Sequence, residues 1–281
     1  KEKLKSAIKG KGYSFTTNFN TTFFDKRDYE LQILDEHRPI QNDDIPDADI
    51  VIATFWNTAE WMTDFSEKKG KKVYFIQHYE THPWLPLERV EATLKAPFYQ
   101  ITVAQWIADI LESKYQKKDV VVVGNGVDLE QFSAPVREKN KSLTVGVMYA
   151  DELSFKGCDT SINSVLKARE AVPDIKLVAF AMRPPVESLP MPDNSEFYLK
   201  PEQENIKTIY GQCDAWLFGS RSEGFGLPLL EAMACRTPVI ATKTGAAPEL
   251  VASADGYLID VDDVNAMTKA ILDINNMRIT H

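Results

Sequence analysis

The feature that most constrains this chain is an alternation of short apolar runs with longer amphipathic ones. Residues 49–53 (DIVIA), 72–77 (KVYFIQ), 100–103 (QITV) and 120–123 (VVVV) are short and rich in β-branched or aromatic residues. Between them, residues 58–69 have helical spacing and end at Gly70. Residues 104–115 place Ile107, Ile110 and Leu111 on one helix face. Strands that are apolar on both faces cannot lie against water, so they predict a parallel sheet covered by helices on each side. Residues 129–142 are polar and aperiodic and read as a linker. The pattern then restarts, with strands over 143–149, 176–181, 215–219 and 238–242. Helices are expected over 158–171, 201–212 and 227–234, and from Val264. A chain of 281 residues has room for two such units. The expected domains are 1–135 and 136–281, both doubly wound α/β. Ligands bind these sheets at their carboxyl ends, which places a site in the cleft between the domains.

Charge and composition exclude several functions. The net charge of −9 argues against a general nucleic-acid binder, and neither half of the chain is basic. Apolar runs are broken by charge or glycine within about ten residues, too short to span a bilayer. The first twelve residues are Lys-rich without a following apolar core, so no signal peptide is expected. That stretch reads as a helix with a solvated lysine face and Leu4, Ala7 and Ile8 turned inward. The same pattern suits peripheral contact with anionic lipid. Cys158, Cys213 and Cys235 are widely spaced and odd in number, which suits reduced thiols in a cytoplasmic protein. No His/Cys grouping has metal-ligand spacing, so no metal cofactor is expected.

The stretch richest in chemistry is Gly219-Ser-Arg-Ser-Glu-Gly-Phe-Gly-Leu-Pro-Leu-Leu-Glu231. It follows a strand and opens a helix. Pro228 suits the first helical turn, and Gly224 and Gly226 allow a sharp, closely approached backbone. Unbonded N–H groups at a helix start attract anions, with a phosphate or diphosphate the natural occupant. Glu223 and Glu231 repel phosphate, so they read as acceptors for hydroxyl groups on either side of it.

The spacing Glu223-x7-Glu231 within this stretch resembles the signature of retaining, nucleotide-sugar-dependent glycosyltransferases of family 4, which have the GT-B fold of two facing Rossmann-like domains. Val123-Gly-Asn-Gly-Val-Asp128, Phe155-Lys-Gly157, Pro238-Val-Ile-Ala-Thr242 and Gly245…Glu249-Leu-Val251 are similar to other family segments in the same order. The resemblance implies transfer of a sugar, with retention, from a nucleotide diphosphate sugar to a hydroxyl of a glycan or lipid-linked acceptor. The Gln77-His-Tyr-Glu80 segment is similar to that of bacterial surface-polysaccharide enzymes. The resemblance puts Glu223, His78 and Lys156 at the reaction. It puts Lys156, Gly224, Phe225, Gly226, Leu227 and Glu231 at the donor, with Glu231 on the ribose and no metal. His82, followed by Pro83-Trp84, reads as plain loop. A non-catalytic nucleotide-sugar binding module is the alternative.

Three departures stand beside the resemblance. Many relatives carry an arginine a few residues before the lysine, and 146–155 has none; Arg221 is the candidate substitute. Arg236 stands where relatives have a small residue. The chain also opens inside what resembles a helix over 1–9, with a strand from Tyr13, and stops at His281. The expectation is therefore a GT-B architecture shortened at both ends.

Overall fold

A computed structural model of the protein describes residues 30–280 except 35, 139, 151–153 and 252–255. The helix expected over 1–9 and the strand from Tyr13 lie outside the described residues. Within them, two wholly parallel sheets form. The first contains β1 (Ile50–Ala53), β2 (Lys71–Ile76), β3 (Tyr99–Thr102) and β4 (Val121–Val122) in the order β1-β2-β3-β4. Its crossovers are α1 (Trp56–Met62), α2 (Leu87–Lys95) and α3 (Gln105–Tyr115). The second contains β5 (Thr144–Met148), β6 (Lys176–Ala181), β7 (Ser195–Leu199), β8 (Ala215–Phe218), β9 (Val239–Thr242) and β10 (Gly256–Ile259), in the order β10-β9-β8-β5-β6-β7. Its helices are α4 (Cys158–Arg169), α5 (Ile206–Gly211), α6 (Leu227–Ala234), α7 (Ala247–Val251) and α8 (Val264–Thr280). None of the helices among the described residues is long and apolar enough to cross a membrane.

Alternate residues of the second sheet feed two cores. Val145, Val147, Leu177, Ala179 and Leu217 face Ile162 and Val165 of α4 and Met267 and Ile271 of α8. Val178, Phe180, Trp216 and Phe218 face Tyr210 and Leu229 on the other side. Trp216 is fully buried over Gly146, where a Cβ would stand 2.3 Å from the indole. The expected cover on both faces therefore holds for this sheet. In the first sheet, one face is covered by α1, α2 and α3, while Ile50, Ile52, Tyr99 and Val121 remain exposed.

Several elements differ from the sequence expectation. The helix expected over 58–69 is α1, which stops at Met62, followed by a separate turn over Glu67–Lys69. The break goes with contacts to a distant segment. Lys69 turns its ammonium inward onto Ile45 O (2.8 Å) and Asp47 (2.9 Å), and Ala48 N–H donates to Lys68 O. Gly70 caps that turn at φ 87°. The helix expected over 201–212 is a short turn followed by α5. α2, β7, α7 and β10 have no counterpart in the sequence pattern. β7 is a half-exposed edge strand with polar Ser195 and Glu196, and α2 buries only Val90, Thr93 and Leu94. Among its described residues the 129–142 linker has no helix or strand, yet it is strapped down. Phe132 is buried in the second domain's core, Arg137 donates to Cys213 O and Asp214, and Asn140 donates to Gln212 O (2.9 Å).

Candidate active site

In the second sheet the strand order reverses between β5 and β8. Open α/β sheets bind ligands at such a switch point, outside the carboxyl ends of the strands. The loops leaving β5 and β8 carry Lys156 and Glu223. They run backbone against backbone: a Cβ on Gly157 (φ 59°) would sit 1.8 Å from Gly219 O. Arg221 N–H also donates to Phe155 O at 2.7 Å. This contact lets Lys156 Nζ reach Glu223 Oε1 at 2.6 Å, with side-chain exposures of only 18% and 8%. Ser220 Oγ donates to the same oxygen at 2.8 Å. Gly245 (φ 57°) closes the far side, since a Cβ there would lie 2.7 Å from Glu223 Cβ.

Gly226 (φ 102°) is the N-cap of α6, with Pro228 in the first turn as expected. Pro228 and Lys156 line one small recess with Met148, Gly219 and Ser220. Leu227 is exposed at this helix start. Glu231 lies one turn further along, where its Oε2 accepts the Tyr210 hydroxyl at 2.8 Å. Burial raises the Glu231 carboxyl above its ordinary range, opposed by that hydrogen bond.

Two members of the stretch serve the contact between domains. Phe225, expected at the donor, is buried in the first domain's core cluster with Ala246 beside it. Gly224 leaves room for the backbone of the other domain: a Cβ there would stand 1.9 Å from Gln77 O. Trp106 Nε1–H donates to Gly224 O at 2.9 Å. Glu249 accepts the backbone N–H groups of Gln105 (3.2 Å) and Trp106 (3.1 Å) at the start of α3, whose N-cap, Ala104, has no side-chain oxygen. A carboxylate from one domain thereby caps a helix of the other.

His78 follows β2 and faces Ser222 across the cleft, with Nε2 3.3 Å from Oγ. Burial, and then the neighbouring His82, hold its pKa below the usual histidine value, so the ring is neutral near pH 7. His78, His82, Trp106, Ser222, Glu223 and Gly245 line an inter-domain cavity of about 450 Å³. His78, Glu223 and Lys156, which lie far apart in sequence, are thus brought to one cleft. Trp106, Ser220, Ser222, Tyr210 and Glu249 were missed as site residues. Ser220 and Ser222 stood within the Gly219–Glu231 stretch and Glu249 within the Gly245…Glu249-Leu-Val segment, whereas Trp106 and Tyr210 carried no signal.

Arg221 is the candidate substitute for the missing arginine. Its guanidinium is held by Asp159 and Asp262, each at 2.7 Å. Arg236 has a structural role: at φ 59° it ends α6, and its Nε–H donates to Ala134 O in the linker at 3.2 Å.

Residues 137–280, just over half of the chain, match the family described as glycosyl transferases group 1. The chain belongs to that family. It is 24% identical over 199 residues to the O-antigen chain mannosyltransferase RfbU of Salmonella typhimurium, covering 67% of this chain and 54% of that protein. It therefore spans about half the length of that curated relative. Its fold is that of sucrose-phosphate synthase from Thermosynechococcus elongatus, with TM-score 0.65 and 19% identity over 82% of this chain and 65% of that one. It also matches Anabaena Alr3699/HepE in complex with UDP, with TM-score 0.67 and 16% identity over 81% of this chain and 69% of that one. The two facing parallel-sheet domains are the GT-B architecture of these neighbours.

Proposed function

We propose that this cleft transfers a hexosyl unit, with retention of anomeric configuration, from a nucleotide diphosphate sugar to an acceptor hydroxyl, as family-4 enzymes do. The observation that carries the reading is the Lys156–Glu223 pair at the β5/β8 switch point, beside the start of α6 and opposite His78. The Lys156 ammonium has three donors, and its bond to Glu223 uses one. The others suit the leaving diphosphate, with the N–H groups of Gly226 and Leu227 adding the helix's partial positive charge. In a chain of net charge −9, that attraction has to be local. Glu231 takes the ribose hydroxyls through its other oxygen while Oε2 holds Tyr210. Glu223 receives hydroxyls of the sugar, and neutral His78 offers a hydrogen bond near the acceptor hydroxyl.

The acceptor is a glycan or lipid-linked hydroxyl of a bacterial surface polymer, handled on the cytoplasmic side. The Salmonella relative, an O-antigen chain mannosyltransferase, supports the hexosyl unit and a surface-polymer acceptor. The Anabaena neighbour holds UDP, which supports a nucleoside diphosphate in the donor domain here.

The test is a thermal-shift screen of UDP, GDP, ADP and their sugars, followed by product analysis. Stabilisation by at least one nucleotide sugar, transfer that survives EDTA, and an anomeric NMR signal of unchanged configuration are expected. Nucleotide binding without transfer or hydrolysis would identify a binding module instead, and an inverted product would exclude retention.

A further inference from the structure

Trp84 is 54% exposed beside His82, a residue of the cavity lining, yet its ring is fixed in place. It stacks on His82 with centroids 4.5 Å apart and planes 5° apart. His82 stacks in turn on Phe155 at 5.8 Å, and Phe155 lies 6.4 Å from Trp84. The loop between is short and stiff: Pro83 and Pro86 bracket it, and Leu85 N–H donates to His82 O at 2.9 Å. We propose that Trp84, backed by His82 and Phe155, is a stacking platform for a neutral pyranose ring of the acceptor. The proposal rests on the glycosyl-transfer reading of the neighbouring cleft.

Three observations point to a sugar ring. An indole face is broad, apolar and electron-rich, and it attracts the polarised C–H groups on one face of a pyranose while repelling phosphate or carboxylate. The ring is already immobilised by its stack, so binding costs little side-chain entropy. The rings also lead inward. His82 lies 5.0 Å from His78, and His78 faces Ser222 beside Glu223, so two ring spacings separate the platform from the reacting end of the cavity. An acceptor could therefore rest one ring on Trp84 while a hydroxyl at its other end reaches the cleft.

The platform draws on both domains. His82 and Trp84 follow β2 of the first, whereas Phe155 precedes Lys156 in the second, with Lys156 Nζ 5.6 Å from the Phe155 ring centroid. Burial keeps the His82 pKa below its usual value, which disfavours a charge on the ring that Trp84 stacks on.

Saturation-transfer NMR tests the platform on the full chain with methyl α-D-mannopyranoside, methyl α-D-glucopyranoside and maltose, each at about 10 mM, the range of weak glycoside binding. The parent chain and Trp84→Ala, Trp84→Leu and Trp84→Phe are compared. Saturation of ring C–H protons is expected for at least one glycoside. The Ala and Leu variants should bind it about five-fold more weakly, and Phe should retain about half the signal. Thermal shift with UDP, GDP, ADP and their sugars, run in parallel, should be the same for all four proteins. A glycoside signal indifferent to Trp84→Ala and Trp84→Leu, or no signal from any of the three, overturns the platform. Trp84-dependent binding to phosphatidylglycerol vesicles in place of glycosides overturns it too, in favour of a membrane contact. Absence of any nucleotide shift in the parent instead overturns the reading of the cleft on which the platform rests.

Discussion

Replacing either member of the Lys156–Glu223 pair should have unequal consequences. At 2.6 Å and an effective dielectric of about 20, the Coulomb attraction is roughly 6 kcal/mol. Removing two ions from water cancels most of this, so the net coupling should be about 1.5–3 kcal/mol. Lys156→Met leaves the Glu223 carboxylate, only 8% exposed, with the Ser220 hydroxyl as its remaining partner at 2.8 Å. The cost should be about 3 kcal/mol, the lower end for a stranded buried charge. Glu223→Gln leaves a carbonyl oxygen for the ammonium, and Lys156 is better exposed, so about 1.5 kcal/mol should be lost. The double variant should be less destabilised than the two single losses together, by the coupling energy. Urea unfolding of the four proteins measures the cycle. The functional arm is separate: Glu223→Gln should abolish transfer while nucleoside diphosphate affinity stays within about three-fold, whereas Lys156→Met should lose about ten-fold in that affinity, one charge-assisted contact. Additivity within about 0.5 kcal/mol would refute the pair. Transfer by Glu223→Gln at the parent rate would refute its place in the reaction.

Other outcomes follow from neighbouring contacts. Gly224→Ala puts a methyl 1.9 Å from Gln77 O, which is backbone and cannot swing away. The domains should separate, raising the radius of gyration in X-ray scattering and lowering transfer at least about ten-fold, the scale of a small misplacement of reacting groups; an unchanged radius would count against the contact. Glu249→Ala should cost about 1 kcal/mol by uncapping α3, with Glu249→Gln losing about half of that, and the difference between them should shrink in high salt during thermal melting. Burial pushes the Glu80 carboxyl up to about 7, against the hydrogen bond from Trp56 N–H. A carboxyl whose folded pKa is raised binds its proton more tightly in the folded state, so its contribution is full below the unfolded value of about 4.5 and is lost as pH rises through 7. Glu80→Gln should therefore be more stable than the parent by about 1 kcal/mol at pH 8, after solvent screening, and equal to it at pH 4 in urea titrations.

Much of the fold was legible because strand and helix periodicities are properties of adjacent residues. β6 and α6 fell on the expected residues, and most other strands came within a residue or two of them. The elements that were missed have weak local patterns. β7 is a half-exposed edge strand, and α2 hides a narrow apolar stripe between prolines. The expected 58–69 helix failed because Lys69 bonds to residues 45 and 47, which local spacing cannot report.

The candidate site divides in the same way. The strand-glycine-helix grammar and the acidic spacing pointed to an anion site beside Glu223 and Glu231 from the sequence alone, because a helix start attracts anions wherever it forms. Only the tertiary structure decided what those residues touch. It put Lys156 on Glu223 across 67 positions and carried Phe225 into the other domain's core. It also set Gly224 against Gln77 and used Glu249 to cap α3. These contacts depend on how two sheets come together. Local sequence sets which way a segment bends and which face it buries, but its partner across the cleft is set by the packing of the whole chain.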